Sequence, residues 1–152
     1  MRHCTGVGVH HSGTEDSATS SWEVIYNYHV FKNHWRSIGY HFGVEDVYGT
    51  MALRLGRPMQ YKGAHAIPLN NTHMGLVLIG NFNLYAPPKH QLNVAAQAIA
   101  DLARLYKFDL NEETVMYHRD VWNTSCPGKF FPDKSDFLDR ITRLYDNQTR
   151  VL

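Results

Sequence analysis

Apolar side chains follow two different periods along the chain, and each period predicts a different kind of element. Alternation of apolar and polar residues predicts a half-buried strand, and a compact apolar run predicts a buried central strand. Alternation predicts a strand over residues 40–45, the compact apolar run predicts one over residues 75–80, and further short strands are predicted over residues 5–10, 50–55 and 114–117. Residues 46–49 are typical of a turn, so the strands on either side of them are expected to form a hairpin.

Apolar residues three and four positions apart predict helices on other segments. The first helix follows the candidate caps Ser20 and Ser21, before Gly39, and has the periodic positions Trp22, Ile25, Tyr26 and His29. The second opens after Pro87 and Pro88, with Leu92, Ala95, Ala96, Ile99, Leu102 and Leu105. The last starts near Pro132 and Asp133, with Phe137, Leu138, Ile141 and Leu144 facing inward. Strands mixed with helices in this order predict an α/β domain, one sheet covered by helices.

Length and charge limit the class of protein. The chain has 152 residues, so we expect residues 1–152 to form one domain. Its formal net charge is +1 and like charges do not cluster, which argues against a nucleic acid as partner. The longest apolar run, residues 76–79, is too short to cross a bilayer, so we expect no membrane insertion. The first residues lack a signal-peptide pattern, so we expect cytoplasmic synthesis.

Histidine is frequent, with 10 residues, and this directs attention to metal or acid–base chemistry. The strongest local pattern runs from His118, at the end of a predicted strand, to Cys126 in a loop closed by a Pro-Gly pair. Imidazole and thiolate together suit zinc, which favours nitrogen and sulfur ligands in tetrahedral geometry. His10, at the end of another predicted strand, is the candidate third ligand. Three protein ligands leave one position open, as in catalytic zinc sites.

The same residues have structural interpretations. Buried free cysteine is common, and one histidine and one cysteine in the same stretch can meet through packing alone. A structural zinc site is another alternative, and it would need a fourth protein ligand such as His11 or His65. Cys4 is interpreted as a lone thiol, because two cysteines do not make a disulfide framework. The residue types alone leave these alternatives open.

Five segments of the chain resemble the amidase family that phage amidase-type lysozymes share with peptidoglycan recognition proteins. They occur in the order of that family, with similar gaps, and together they span most of the chain. The segments are Val9-His10-His11-Ser12-Gly13-Thr14, Ile38-Gly39-Tyr40-His41-Phe42, Gly63-Ala64-His65-Ala66, the run from Gly75 to Phe82, and His118-Arg119-Asp120-Val121 with Thr124 and Cys126-Pro127-Gly128. The resemblance implies an α/β fold with a central mixed β-sheet flanked by helices.

The resemblance also implies a zinc site and the residues that act beside it. One Zn²⁺ per chain would be held by His10, His118 and Cys126, and His11 would not be a ligand. Tyr40 matches the family's catalytic tyrosine. Thr124 matches a position that is lysine in some members and threonine in others, and the threonine form is closer to the animal recognition proteins that are active amidases.

The activity implied is hydrolysis of the amide between N-acetylmuramic acid and L-alanine in peptidoglycan. The metal would activate water. The Tyr40 hydroxyl would donate or relay a proton, and Thr124 would hydrogen-bond water or the oxyanion. We interpret His65 and Asn70 as candidate substrate contacts. The expected protein is a monomer without a separate cell-wall-binding module, and its expected role is that of a phage or prophage endolysin, which acts on the wall after release.

Other residues have ordinary structural interpretations. His41 is expected to make structural hydrogen bonds, His29 to lie in the core or beside a ligand, and Tyr40 alone could be an ordinary strand aromatic. Surface positions are expected for His3, His34, His73 and His90. The chain departs from the family pattern at Ile67-Pro68 and at His73, beside the expected cleft.

Two further functions compete with the endolysin. A non-catalytic peptidoglycan-binding module would have a broken zinc site, whereas the three candidate ligands are all present here. A cytosolic amidase that recycles soluble muropeptides would generally carry a carboxylate in place of Tyr40. The three functions can be distinguished by measuring which bond is cut, if any, and whether the substrate is the intact wall or a soluble muropeptide.

Overall fold

Five strands form one mixed sheet in the order β3-β2-β4-β1-β5. The structure is a computed structural model that describes residues 4–14 and 21–149, so the predicted cap Ser20 and His3 lie outside the described residues. The strands are β1 (Gly6–His11), β2 (Phe42–Val47), β3 (Thr50–Leu55), β4 (His73–Leu78) and β5 (Val115–Tyr117). β1 pairs in parallel with β4 and β5, β2 pairs in parallel with β4, and β3 runs antiparallel to β2. The predicted mixed sheet is confirmed.

Helices alternate with the strands along the chain, and two follow the last strand. They are α1 (Trp22–Asn27), which continues into a π-helical segment (Tyr28–Lys32), α2 (Lys89–Tyr106), the short α3 (His118–Val121) and α4 (Lys134–Thr149). Ser21 is the N-cap of α1, and its hydroxyl accepts a hydrogen bond from the backbone N–H of Val24. In the part of the chain that the structure describes, we find no helix long and apolar enough to span a membrane.

One face of the sheet packs against α2 and α4. Every second side chain of β1, β2 and β4 points into this core, which also holds the inner faces of both helices. Its fully buried strand members include Val7, Val9, Val44, Met74, Leu76 and Leu78, and its helical members include Ala95, Ala96, Ile99, Phe137 and Ile141. The alternating and helical patterns of the sequence therefore meet in one contiguous core.

One predicted inward position of α2 is wrong. Leu105 is 72% exposed. A helix turns about 100° per residue, so Leu105 lies about 120° from the buried Ile99, whereas Tyr106 lies about 20° from it. Tyr106 accordingly packs against the core in the place expected for Leu105.

The opposite face of the sheet holds a smaller cluster that anchors α1. Trp22 lies flat against Gly43 of β2, where a Cβ atom would approach the indole to 2.3 Å. The buried carboxylate of Glu45 accepts the backbone N–H of Trp22 at 2.7 Å and pairs with Arg54 at 2.5 Å. Glycine is therefore required at position 43, and α1 is fixed to the sheet by both packing and a charged hydrogen bond.

The hairpin is confirmed, but two predicted strand boundaries shift. Tyr48 (φ 53°) and Gly49 (φ 84°) form the two-residue turn between β2 and β3. Tyr40 lies just before β2 rather than on it. β4 begins at His73, earlier than predicted, because β1 continues the parallel ladder as far as the pair Gly6–His73.

The surface position predicted for His73 is wrong. The side chain is 7% exposed, because Gly6 leaves space beside it: a Cβ atom on Gly6 would lie 2.8 Å from its ring. Its Nε2 donates to the backbone carbonyl of Glu113 at 3.0 Å, and its Nδ1 lies 2.9 Å from the hydroxyl of Thr72. His73 is thus a hydrogen-bonded part of the interior.

Candidate metal centre

Two histidines lie at the carboxyl ends of the neighbouring parallel strands β1 and β5, His10 within the last two residues of β1 and His118 directly after β5. β1 pairs with β5 in a register that places Val9 opposite Tyr117, so the next residues along the two strands are His10 and His118. Adjacent strands are about 4.8 Å apart. The two imidazole centroids lie 4.7 Å apart. The sheet register therefore brings together two histidines that are far apart in the sequence.

The loop after α3 brings Cys126 to the same point. The backbone N–H of Arg119 donates to the carbonyl of Cys126, and its guanidinium donates to the carbonyl of Gly128, both at 2.9 Å. The backbone N–H of Cys126 donates to the hydroxyl of Thr124 at 3.2 Å. As a result the Cys126 Sγ lies 3.7 Å from Nδ1 of His10. Ligand atoms of His10, His118 and Cys126 all lie within 4.8 Å of one another, and among the described residues no other group of potential metal ligands is found.

Burial sets the protonation of these groups. Desolvation, followed by the charges of His65, His118 and His11, holds the pKa of His10 well below its usual value. Burial also lowers the pKa of His118. Both imidazoles are therefore neutral near pH 7, the form that binds metals. Burial raises the pKa of the Cys126 thiol to about 11, although the His11 N–H and the Arg119 charge oppose the rise.

Tyr40 and Thr124 lie beside the three candidate ligands. The Tyr40 ring is 5.4 Å from the ring of His10, centroid to centroid. Burial, and then the nearby Cys126, raise the pKa of Tyr40, so its hydroxyl stays protonated at neutral pH and can donate a hydrogen bond. The Thr124 hydroxyl oxygen accepts the N–H of Cys126, which leaves its proton available as a donor.

The predicted substrate contacts His65 and Asn70 line a cavity of about 290 Å³ beside His118. The Asn70 side-chain oxygen accepts the backbone N–H groups of His65 at 2.8 Å and of Ala66 at 3.0 Å. Asn70 therefore shapes the loop that presents His65. Whether either side chain contacts a substrate stays a prediction.

Three other histidines near the site have structural partners. His11 points away from the three candidate ligands, since its Nδ1 accepts the backbone N–H of Phe82 at 3.1 Å. His41 accepts the N–H of Gly75 at 2.9 Å and lies 3.0 Å from the carbonyl oxygen of Tyr61, as its structural interpretation predicts. The His29 Nδ1 accepts the N–H of Gly39 at 3.1 Å.

Sequence reasoning missed two tryptophans that line the same cavity, Trp35 and Trp122. Trp122 is 55% exposed, so its ring is accessible from the cavity. Its position in the sequence between the candidate ligands His118 and Cys126 could have identified it as a residue near the site. Trp35 gave no such signal, because its place at the cavity depends on tertiary contacts with His29: its ring stacks on the imidazole at 4.6 Å between centroids, and its backbone N–H donates to the His29 carbonyl at 3.0 Å.

A second cavity, of about 700 Å³, lies next to the first, and the two share Trp35 and Ala64 in their walls. Arg36, Arg57 and Lys62 line this second cavity. Arg57 also donates to the backbone carbonyls of Ile38, Lys62 and Ser37, and so ties together the two loops that form it. The candidate site thus has a neighbouring cavity with basic side chains in its wall.

Known proteins that are similar to this chain are amidases and peptidoglycan-recognition proteins. The model of the N-acetylmuramoyl-L-alanine amidase family, Amidase_2, matches residues 1–129. Peptidoglycan-recognition protein LB of Drosophila melanogaster is 32% identical over 128 residues, which are 79% of this chain and 53% of that protein. Peptidoglycan-recognition protein SC1a of the same species is 29% identical over 129 residues, 79% of this chain and 65% of that one. The chain thus spans about half to two thirds of the length of these curated relatives.

Solved structures share the architecture. An endolysin N-acetylmuramoyl-L-alanine amidase, LysCS, from Clostridium intestinale superposes with a TM-score of 0.72 at 24% identity, over 92% of this chain and 84% of that chain. A mutant of Drosophila PGRP-LB in complex with tracheal cytotoxin superposes with a TM-score of 0.72 at 28% identity, over 86% of this chain and 79% of that chain. Because the family model covers most of its length, the chain belongs to the N-acetylmuramoyl-L-alanine amidase family.

Proposed function

We propose that this protein is a zinc-dependent amidase that hydrolyses the bond between N-acetylmuramic acid and L-alanine in peptidoglycan. One observation supports the proposal above all others. His10, His118 and Cys126 converge from two strand ends and a loop, with a protonated tyrosine beside them, next to a cavity that His118 lines.

The donor set and its spacing fit zinc. Zn–N bonds of about 2.05 Å and Zn–S bonds of about 2.3 Å at a tetrahedral angle place N and S about 3.6 Å apart. The observed distance from His10 Nδ1 to Cys126 Sγ is 3.7 Å. The three side chains come without a carboxylate, a combination that favours zinc over harder cations such as Mg²⁺.

Zinc held by these residues would supply Lewis acidity and would allow water to act as the nucleophile at neutral pH. The chain's own groups would stabilise the charge that develops on the amide oxygen. Tyr40 is the first candidate, because its raised pKa keeps the hydroxyl proton in place until the substrate oxygen needs a donor.

Thr124 would supply a second hydrogen-bond donor. Its hydroxyl oxygen is engaged by the Cys126 N–H, so the orientation of the hydroxyl is restricted and its proton is directed away from that bond. A donor fixed in this way can hold the attacking water or the oxyanion without reorganising during the reaction.

The cavities suit a substrate that is a glycan joined to a peptide. Two adjacent cavities of about 290 Å³ and about 700 Å³ offer room for two different parts of such a substrate. Arg36 and Lys62 in the larger one offer positive charge to an acidic peptide. Trp35, which lines both cavities, and Trp122, which lines the smaller one, supply exposed apolar surface.

The test is digestion of purified bacterial cell walls by the zinc-loaded protein. We expect new N-terminal alanine and no new reducing sugar ends. Cys126→Ala, assayed alongside, should produce no new N-terminal alanine. New reducing ends would identify a glycosidase and would contradict the proposal. Wall binding without release of alanine would identify a peptidoglycan-binding module instead.

We also propose a biological role as a phage or prophage endolysin that is made in the cytoplasm and acts on the wall after release. Expression inside bacteria should leave the culture intact until the membrane is permeabilised, and lysis should follow at once. A recycling amidase would instead prefer soluble muropeptides to intact walls. Turnover on soluble fragments together with inactivity on intact walls would refute the endolysin role.

A further inference from the structure

The two ring nitrogens of His65 have different partners. Nε2 lies 3.3 Å from the backbone carbonyl oxygen of His73, and Nδ1 lies 3.0 Å from Nε2 of His10. A carbonyl oxygen only accepts hydrogen bonds, so the proton of a neutral His65 is on Nε2. Its Nδ1 therefore accepts, and Nε2 of His10 must be the donor.

This chain of hydrogen bonds determines the tautomer of His10. With its proton on Nε2, neutral His10 has a lone pair on Nδ1. Nδ1 is also the nitrogen that lies 3.7 Å from Sγ of Cys126. The carbonyl of His73 thus specifies, through His65, which nitrogen of His10 is available to a metal.

The backbone holds the His65 ring in place. The ring lies over two glycines of neighbouring strands, where a Cβ atom would approach it to 3.1 Å at Gly8 and to 2.5 Å at Gly75. Asn70 accepts the backbone N–H of His65. The two glycines and the Asn70 amide therefore fix the position of the His65 ring more tightly than a side chain that only lines a cavity would require.

We propose that His65 is a positioning residue that accepts a hydrogen bond from Nε2–H of His10 and thereby prepares Nδ1 of His10 to bind the metal. The inference rests on the zinc site proposed above. It assigns His65 a role beyond substrate contact, since both ring nitrogens are used within the protein. Partners of this kind, behind a ligand, change metal affinity by about 10- to 100-fold.

The test compares two substitutions of similar shape. His65→Leu removes the acceptor, whereas His65→Asn can place an amide oxygen close to the position of Nδ1. Zinc affinity of each protein is measured by competition with a chelator of known affinity. We expect about a 10- to 100-fold loss for His65→Leu and a clearly smaller loss for His65→Asn. Ile67 lines the same cavity and is 77% exposed, so the control Ile67→Ala should bind zinc like the unchanged chain.

Each outcome of the titration has a definite meaning. His65→Leu with unchanged zinc affinity overturns the inference and leaves the proposed amidase standing. Equal losses in His65→Leu and His65→Asn also overturn it, because the effect would then come from the shape of the cavity. An unchanged chain that binds no zinc would overturn the proposed metal site itself.

A second measurement does not depend on zinc. In the metal-free protein, the ¹⁵N chemical shifts of the His10 ring report which nitrogen carries the proton. We expect the Nε2–H form in the unchanged chain and a mixture of tautomers in His65→Leu. An unchanged His10 tautomer in His65→Leu would show that His65 does not select it.

Discussion

Removal of the Tyr40 hydroxyl tests whether this group acts on the transition state. Tyr40→Phe keeps the ring, which lies 5.4 Å from His10, 6.0 Å from His29 and 6.4 Å from His65 between centroids. The substitution therefore preserves the packing around the candidate ligands. Only the donor is lost.

The expected magnitude follows from the state of the hydroxyl. A tyrosine with an ordinary pKa of about 10 is about 0.1% ionised at pH 7, and burial raises the pKa of Tyr40 further, so the site has a donor in essentially every molecule. Loss of one such donor to a developing oxyanion lowers kcat about 100- to 1000-fold, about 2.7–4 kcal/mol. Because the interaction is made in the transition state, kcat and kcat/KM should fall together.

The assay is release of N-terminal alanine from intact walls, with zinc content and thermal unfolding measured on the same preparation. Zinc content and unfolding temperature should match those of the unchanged chain. Wild-type turnover by Tyr40→Phe would refute the reasoning and leave the metal site untouched. Loss of zinc from this variant would mean instead that Tyr40 supports the structure of the site.

Three further changes test neighbouring parts of the site. Cys126→Ala should lose bound zinc and activity, and a chelator should inactivate the unchanged chain until zinc is restored; full metal occupancy with full activity in the variant would contradict the ligand assignment. Thr124→Val should lower kcat less than Tyr40→Phe, because water can partly replace a hydroxyl; a larger loss would reverse the order of importance. Burial, and then the charge of Arg57, lower the pKa of His29 in the folded chain. Neutral His29 therefore contributes to the free energy of unfolding above about pH 6.5, and this contribution is lost as the pH falls and the imidazole is protonated. Urea unfolding at about pH 7.5 and about pH 5 should therefore show a smaller pH effect in His29→Asn, which keeps an acceptor for the Gly39 N–H, and an equal pH effect would exclude this role.

The sheet could be predicted from the sequence because apolar residues recur along it with a regular period. The candidate metal ligands could be predicted because histidine and cysteine are typical zinc ligands. The alternation in β2 and β3 and the helical spacing in α2 placed these elements within a few residues of their observed bounds. Leu105 was misplaced because a spacing of three can place the last residue of a series at the edge of the helix face, a drift that adds up along the helix.

Other features depend on pairing that a single sequence does not contain. His73 is buried because Gly6, far away in the chain, lies opposite it in the ladder. The link between His65 and His10 likewise requires the loop to fold over Gly8 and Gly75. Neither relation has a local pattern, so periodicity and composition could not reveal it.

The ladder between β1 and β5 holds two of the candidate ligands independently of the loop side chains Ile67 and Trp122. The distance between His10 and His118 is determined by hydrogen bonds between strand backbones, whereas Ile67 and Trp122 come from loops at the rim of the cavity. Loop substitutions can therefore accumulate without altering the spacing of these two histidines. For protein engineering, this means that Ile67 and Trp122 can be varied while the two strands keep His10 and His118 at the same spacing.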